Sequence, residues 1–252
     1  MLRLPPLAYH DPKFIDSDEG RPIRIVSEYL APLQAFTAAG VNATVVFFGS
    51  ARLRSGGPLG RYYDEAVELA RLVSEWSQNE CGGRLVVCSG GGPGIMEAAN
   101  HGAMLAGARS VGLNIGLPHE QRPNPYITNG LSFEFHYFFM RKLWFAHLAH
   151  ALIAFPGGFG TFDELFEILT LAQTQKLDRT IPVLLYGSAY WQEVVNFPAL
   201  VRHGTIAAED LKLFEFVDEP RAALELLRRR VPAASLTTAP MQFAASRCAA
   251  QS

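Results

Sequence analysis

Apolar positions along the chain fall into two alternating patterns: short unbroken runs, and longer stretches where they recur every three or four residues. The short runs are Ala43–Phe48 (ATVVFF), Arg84–Cys88 (RLVVC), Ser110–Ile115 (SVGLNI), Ala151–Phe155 (ALIAF) and Ile181–Tyr186 (IPVLLY). Their length and lack of polar alternation predict strands buried on both faces. Shorter strands are expected at Phe133–Phe135 and near Phe214–Val217. Helical spacing predicts helices over Pro22–Ala39, Arg61–Gln78, Tyr137–His150, Tyr190–Arg202 and Pro220–Arg229. Two more follow glycine-rich turns, one through Met96, Ala98, Ala99 and Ala103, the other through Phe162, Leu165, Phe166, Leu169 and Ala172. Pro32 interrupts the first helix, where it is expected to kink or split it, and Gly40 ends it.

Strands alternating with helices predict an α/β fold: a Rossmann-like, doubly wound parallel sheet flanked by helices, in a single domain. Residues 1–40 are expected to form an N-terminal arm and helix, residues 41–230 the Rossmann-like domain, and residues 231–252, small, polar and proline-broken, a disordered tail. Ligands of such sheets bind outside the carboxyl ends of the strands, where strand order reverses. Three small-residue turns follow strands and are expected to share one site there: Gly49-Ser50, Ser89–Gly94 and Pro156–Thr161. The long loop Gly116–Gly130 carries three prolines and has the length of a functional loop.

The third turn organises the chain. Strand, Pro156-Gly157-Gly158-Phe159-Gly160-Thr161 and helix follow in order, so backbone N–H groups and the positive end of a helix dipole face outward, a seat for an anion. The acidic pair Asp163 and Glu164 is expected in the first helical turn. Thr161 and Glu164 also have the spacing of a capping box, which would give Glu164 a purely structural role. The second turn, Gly90-Gly91-Gly92-Pro93-Gly94, is a phosphate-binding candidate. It is neither a dinucleotide fingerprint, since Ile95 stands at the final glycine and Asn114 where a ribose-binding acid belongs, nor a P-loop, since no Gly-Lys-Ser/Thr follows. Arg141 and Lys142 interrupt an apolar helix. They form either one snorkelling edge or a cation aimed at an anion or at Glu164. His147 and His150 lack an evident third ligand, so no metal site is expected.

Composition narrows the setting. Hydrophobic residues make up 49% and charged residues 18% of 252, and the formal charge of −2 gives no reason to expect a nucleic acid partner. Cys81, Cys88 and Cys248 are too few and scattered for a disulfide framework, which suits a reducing cytoplasm. No apolar run approaches the roughly 20 residues that span a bilayer, and the N-terminus lacks the apolar core of a signal peptide.

Pro156-Gly157-Gly158-Phe159-Gly160-Thr161-Phe162-Asp163-Glu164 fits the motif PGGxGTxxE. Together with Arg141-Lys142, the turn Gly90 to Glu97 and the strand end Phe48-Gly49-Ser50, it resembles the LOG family, the cytokinin riboside 5′-monophosphate phosphoribohydrolases. The resemblance covers about residues 43–230. It implies a homodimer or higher homo-oligomer, no cofactor, and hydrolysis of the N-glycosidic bond of a nucleoside 5′-monophosphate to free base and ribose 5-phosphate. By position Arg141 and Glu164 match the family's catalytic pair. Ser50, Gly91, Gly92, Gly94, Gly158, Gly160 and Thr161 match its phosphate and ribose cradle, with Glu97 and Lys142 as further candidates for substrate contact. An older label of the family, lysine decarboxylase, finds no lysine here in a pyridoxal-site context. Phe139 stands where plant-type members carry a histidine, and residues 1–40 and the loop 117–130 exceed the compact family pattern. The base is therefore open between adenine and a cytokinin. A second reading is a non-enzymatic nucleotide or cofactor carrier or sensor on the same fold, resembling the molybdenum-cofactor carriers.

Overall fold

The apolar runs pair into one seven-stranded parallel sheet in a computed structural model that describes residues 6–116, 122–177 and 179–236, the side chain of Ser235 apart. The strands are β1 (Ala43–Phe48), β2 (Leu85–Ser89), β3 (Ser110–Ile115), β4 (Ser132–Phe135), β5 (Ala149–Ala154), β6 (Val183–Tyr186) and β7 (Phe214–Val217), in the order β4-β3-β2-β1-β5-β6-β7. The helices are α1 (Pro12–Ile15), α2 (Arg21–Ala39), α3 (Arg61–Glu80), α4 (Ile95–Leu105), α5 (Phe138–Leu148), α6 (Phe159–Gln173), α7 (Ser188–Val194), α8 (Phe197–Arg202) and α9 (Pro220–Arg230).

Successive strand residues point to opposite faces, so each central strand feeds two cores. Val45 and Phe47 of β1 pack with Ala66, Leu69 and Val73 of α3, Ala98 of α4 and Leu227 of α9. Val46 and Phe48 pack on the other face with Phe36 of α2, Trp144 and Phe145 of α5, Leu165 of α6 and Trp191 of α7. Burial on both faces is why these strands read as unbroken apolar runs.

Several boundaries differ from the sequence reading for local physical reasons. Pro32 neither splits nor ends α2 and lies buried within it. A proline cannot donate to the carbonyl four residues back. That carbonyl belongs to Glu28 and accepts instead from Trp144 Nε1 at 3.2 Å, so the orphaned group joins α2 to α5. The α5 helix stops at Leu148, because Ala149 already pairs with Thr44 in the sheet. The expected helix Tyr190–Arg202 is two helices: Asn196 accepts from the backbone N–H of Ala199, capping α8, and Pro198 sits at its start. Residues 231–236, expected in the tail, pack onto the α3 face through buried Val231 and Leu236. The rest of that tail, residues 237–252, lies outside the described residues, as do 117–121 of the long loop. Among the described residues no helix is long and apolar enough to cross a membrane.

Candidate active site

From β1 the sheet grows in both directions, through β2 on one side and β5 on the other, so strand order reverses there. The three turns that follow these neighbouring strands meet as expected. Ser50 N–H donates to the Pro156 carbonyl at 2.9 Å, and the Ser50 carbonyl accepts from Ile95 N–H at 3.1 Å. Gly94 has φ +71°, and a Cβ there would stand 2.2 Å from the Ser50 carbonyl oxygen. Gly157 is equally constrained by space: its Cβ would stand 2.1 Å from Thr161 Oγ1.

Between the turns opens a cavity of about 780 Å³, of the size that holds a small-molecule ligand. Its floor and walls include Ser50, Arg52, Gly90, Met96, Asn114 and Phe138, with the whole run Pro156–Phe162, Arg141 and Glu164. Gly158 and Gly160 are exposed, and a Cβ on either would meet nothing within 4 Å, so backbone lies open to an incoming group. Tyr190 Oη donates to the Gly157 carbonyl at 2.6 Å and holds the turn from α7. The contact gives Tyr190 a place in the site that its sequence position did not announce.

The α6 helix starts earlier than the capping-box spacing implies. Gly158 is its N-cap, and Phe159 to Phe162 make the first turn. Thr161 is therefore inside the helix and makes no cap, while Asp163 and Glu164 fall in the second turn, not the first. Freed from capping, Glu164 points into the cavity. Its side chain is 6% exposed, and Oε1 lies 3.4 Å from Arg141 Nη2. Burial raises its carboxyl to about 7, against the opposing pull of Arg141 and Lys142.

Arg141 comes from α5, with its side chain 13% exposed. Its guanidinium lies over the rings of Phe138 and Phe145, 5.2 and 5.7 Å from their centroids. Burial holds it below its ordinary value, opposed by Glu164 and Asp163. Its Nε is buried, with no hydrogen-bond partner among the described residues. Lys142 does not line the cavity; its ammonium pairs with Asp163 at 2.9 Å and Glu167 at 2.7 Å and lies 3.8 Å from Glu164 Oε2. Burial lowers its amine, but those hydrogen bonds outweigh burial and leave it raised.

The second glycine turn departs from the expected cradle. Gly90 and Met96 reach the cavity, while Gly91, Gly92 and Gly94 are buried in the packing behind it. Gly91 N–H donates to Ser89 Oγ, and Asn124 Nδ2 donates to the carbonyls of Gly91 and Gly92 at 3.0 and 3.1 Å. Asn124 also donates to Asn100 Oδ1, which accepts from Ser89 Oγ, so a closed polar cluster braces the turn. Glu97 faces α3, 3.4 Å from the Tyr63 hydroxyl, and does not line the cavity.

Comparison with known proteins adds a family. Residues 96–227 match a family described as "Possible lysine decarboxylase". The cytokinin riboside 5′-monophosphate phosphoribohydrolase LOG of Oryza sativa subsp. japonica is 28% identical over 189 residues, 74% of this chain and 73% of its own. The pyrimidine/purine nucleotide 5′-monophosphate nucleosidase of Escherichia coli strain K12 is 33% identical over 115 residues, 41% of this chain and 24% of its own. Among solved structures, TM1055 superposes with a TM-score of 0.54 at 21% identity, over 74% of this chain and 99% of its own, a likeness of fold.

Proposed function

Because the chain belongs to the LOG family, whose named relatives are nucleotide 5′-monophosphate phosphoribohydrolases and nucleosidases, we propose that it hydrolyses the N-glycosidic bond of a nucleoside 5′-monophosphate. The observation that carries this reading is Glu164, a buried carboxyl beside a buried arginine, one turn beyond a glycine-rich helix start, in a nucleotide-sized cavity.

The 5′-phosphate sits on the open backbone of Gly158 and Gly160 and at Thr161, where the α6 dipole and the charge of Arg52, a residue lining the cavity, favour an anion. Ser50, tied to Pro156, completes this end. The ribose lies between Arg141 and Glu164. Cleavage passes through an oxocarbenium-like ribose, as in glycoside hydrolysis. Ionised Glu164 stabilises the positive charge developing at C1′ and takes a proton from water as its oxygen bonds to C1′. The C–N bond breaks with its electron pair going to the base, which takes a proton from solvent, and Glu164 later returns the water's proton to solvent. Arg141 fixes Glu164 and keeps donors for ribose oxygens. Phosphate binding away from the reacting carbon supplies energy for orientation.

Gly91, Gly92 and Gly94 act behind the surface, shaping Gly90 and Met96, and Lys142 anchors the acidic side of α6. AMP and a cytokinin riboside monophosphate both suit the apolar wall of Phe48, Ile115, Phe138 and Phe145. The test is chromatography of free base and ribose 5-phosphate released from AMP, isopentenyl-AMP, GMP, CMP and UMP, with the matching nucleosides as controls. Equimolar base and ribose 5-phosphate from nucleotides, with nucleosides left intact, supports the reading. Binding without base release from any nucleotide overturns it in favour of a carrier or sensor.

A further inference from the structure

The far wall of the cavity holds a polar group that the chemistry above leaves unused. Asn114 sits near the end of β3 and is 6% exposed, yet lines the cavity. Its Nδ2 donates to the Phe133 carbonyl at 3.1 Å and to Ser132 Oγ at 3.3 Å, both contributed by β4. The carbonyl can accept only from the amide nitrogen, so this contact fixes which end of the side chain faces β4. The amide lies face-on against Gly91, where a Cβ would approach Oδ1, Nδ2 and Cγ to 2.4, 2.6 and 2.7 Å. Among the described residues nothing donates to Oδ1, so it is the end left without a partner there. An acceptor on a side chain held in place by its own amide, in a residue that lines the cavity and with no donor among the described residues, is an open position for an N–H group of a ligand.

Its place along the sheet edge says which part of a ligand reaches it. The anion seat follows β5, and Asn114 ends β3, three strand spacings away through β1 and β2. At about 4.8 Å per spacing this is about 14 Å, comparable with an extended nucleoside monophosphate from phosphate to the far edge of its base. Glu164 lies at the β5 end, where the sugar follows the phosphate. Ile115 and Phe138 give the Asn114 end apolar surface for a flat ring.

We infer that Asn114 Oδ1 reads the base of the nucleotide by accepting a hydrogen bond from an exocyclic amino group, so that the protein prefers amino bases, adenine or cytosine, over their oxo counterparts. The inference rests on the nucleotide reading of the cavity. An oxo group in the amino position places one acceptor against another, which loses the hydrogen bond and sets two like dipoles end to end. Gly91 complements this role, because only a residue without a side chain lets the amide lie flat there, and its φ of +72° independently favours glycine.

The test compares equilibrium binding and kcat/KM for AMP against IMP and for CMP against UMP, pairs whose base edges differ by amino against oxo. Wild type is expected to favour the amino member by about tenfold or more. Asn114→Leu brings both ratios close to one. Equal binding of both members to wild type overturns the inference whether or not any variant folds, and so does an unchanged ratio in a folded Asn114→Leu. An amino preference in binding with no base released sustains the role of Asn114 and removes the hydrolase reading, so the two fail separately.

Discussion

Arg141 Nη2 and Glu164 Oε1 stand 3.4 Å apart, a loose pair between two nearly buried side chains brought together from α5 and α6. A tight bidentate salt bridge would use up both groups. Here Arg141 Nε has no hydrogen-bond partner among the described residues and burial raises the Glu164 carboxyl to about 7, so each retains capacity for a ligand. Arg141→Ala is predicted to lower kcat/KM for the best nucleotide by about 100-fold or more. Arg141→Lys should recover only a small part, because an ammonium lacks the planar fork that reaches carboxylate and ribose together. Steady-state kinetics on both variants checks this, and full recovery by lysine contradicts it.

The protonation of Glu164 predicts a pH profile. Its carboxyl lies at about 7 and the mechanism needs the ionised form. Log kcat/KM should therefore rise with pH up to about 7 and level off above it. Glu164→Gln should lose that limb in whatever activity remains. A rate that falls as pH rises through this range would instead make the protonated acid the working form.

Neighbouring glycines should respond in opposite ways. Gly158→Ala adds a methyl into open space, so thermal stability falls by no more than the roughly 1 kcal/mol that alanine costs at an N-cap, while KM for the nucleotide rises as the anion seat fills. Gly157→Ala forces a Cβ against Thr161 Oγ1 and Ser50 N, at a cost of about 1–3 kcal/mol. Thermal melting and KM measured side by side separate the two effects.

Glu28 links the N-terminal region to the site. Its carboxylate accepts from the backbone N–H groups of His136 (2.7 Å) and Tyr137 (3.2 Å) just before α5 begins, and its carbonyl holds Trp144. Arg24 reinforces the joint by donating to the Tyr137 hydroxyl and to the carbonyls of Ile15 and Ser17. Glu28→Ala is predicted to destabilise the protein by about 1 kcal/mol. Because α5 carries Arg141, kcat should fall further than stability alone explains. Denaturant unfolding with kinetics at a temperature where the variant stays folded tests this.

Much of this architecture was legible in the sequence. The central strands read clearly because they are buried on both faces, and the three turns read because glycine clusters directly follow them. The residues alone leave Arg141 open between a snorkelling edge and a cation aimed at an anion or at Glu164, the motif resemblance pairs the two, and the structure brings both side chains into one cavity. What the sequence hid were relationships fixed by tertiary contact. Thr161-x-x-Glu164 carries a sound local capping signal, yet α6 begins at Phe159, a residue 96% exposed whose side chain gives no hint of a helix start. Pro32 reads as a break because its missing hydrogen bond is visible in sequence, whereas the acceptor's new partner, Trp144, is 112 residues further along the chain than Pro32. Tyr190 beneath Gly157, and Asn124 beneath Gly91 and Gly92, have no local periodicity to betray them. The glycines of the second turn looked like contact residues because close approach of backbone to ligand and close packing of backbone on side chains both call for glycine.

The central claim is that Glu164 drives base release without being needed to hold the nucleotide. The most direct measurement is single-turnover release of adenine from bound AMP by wild type and by Glu164→Gln, with AMP affinity determined for both. The account predicts affinities within a few-fold of each other and a rate lower by about 1000-fold in the glutamine variant. Adenine release at the wild-type rate by Glu164→Gln would contradict it.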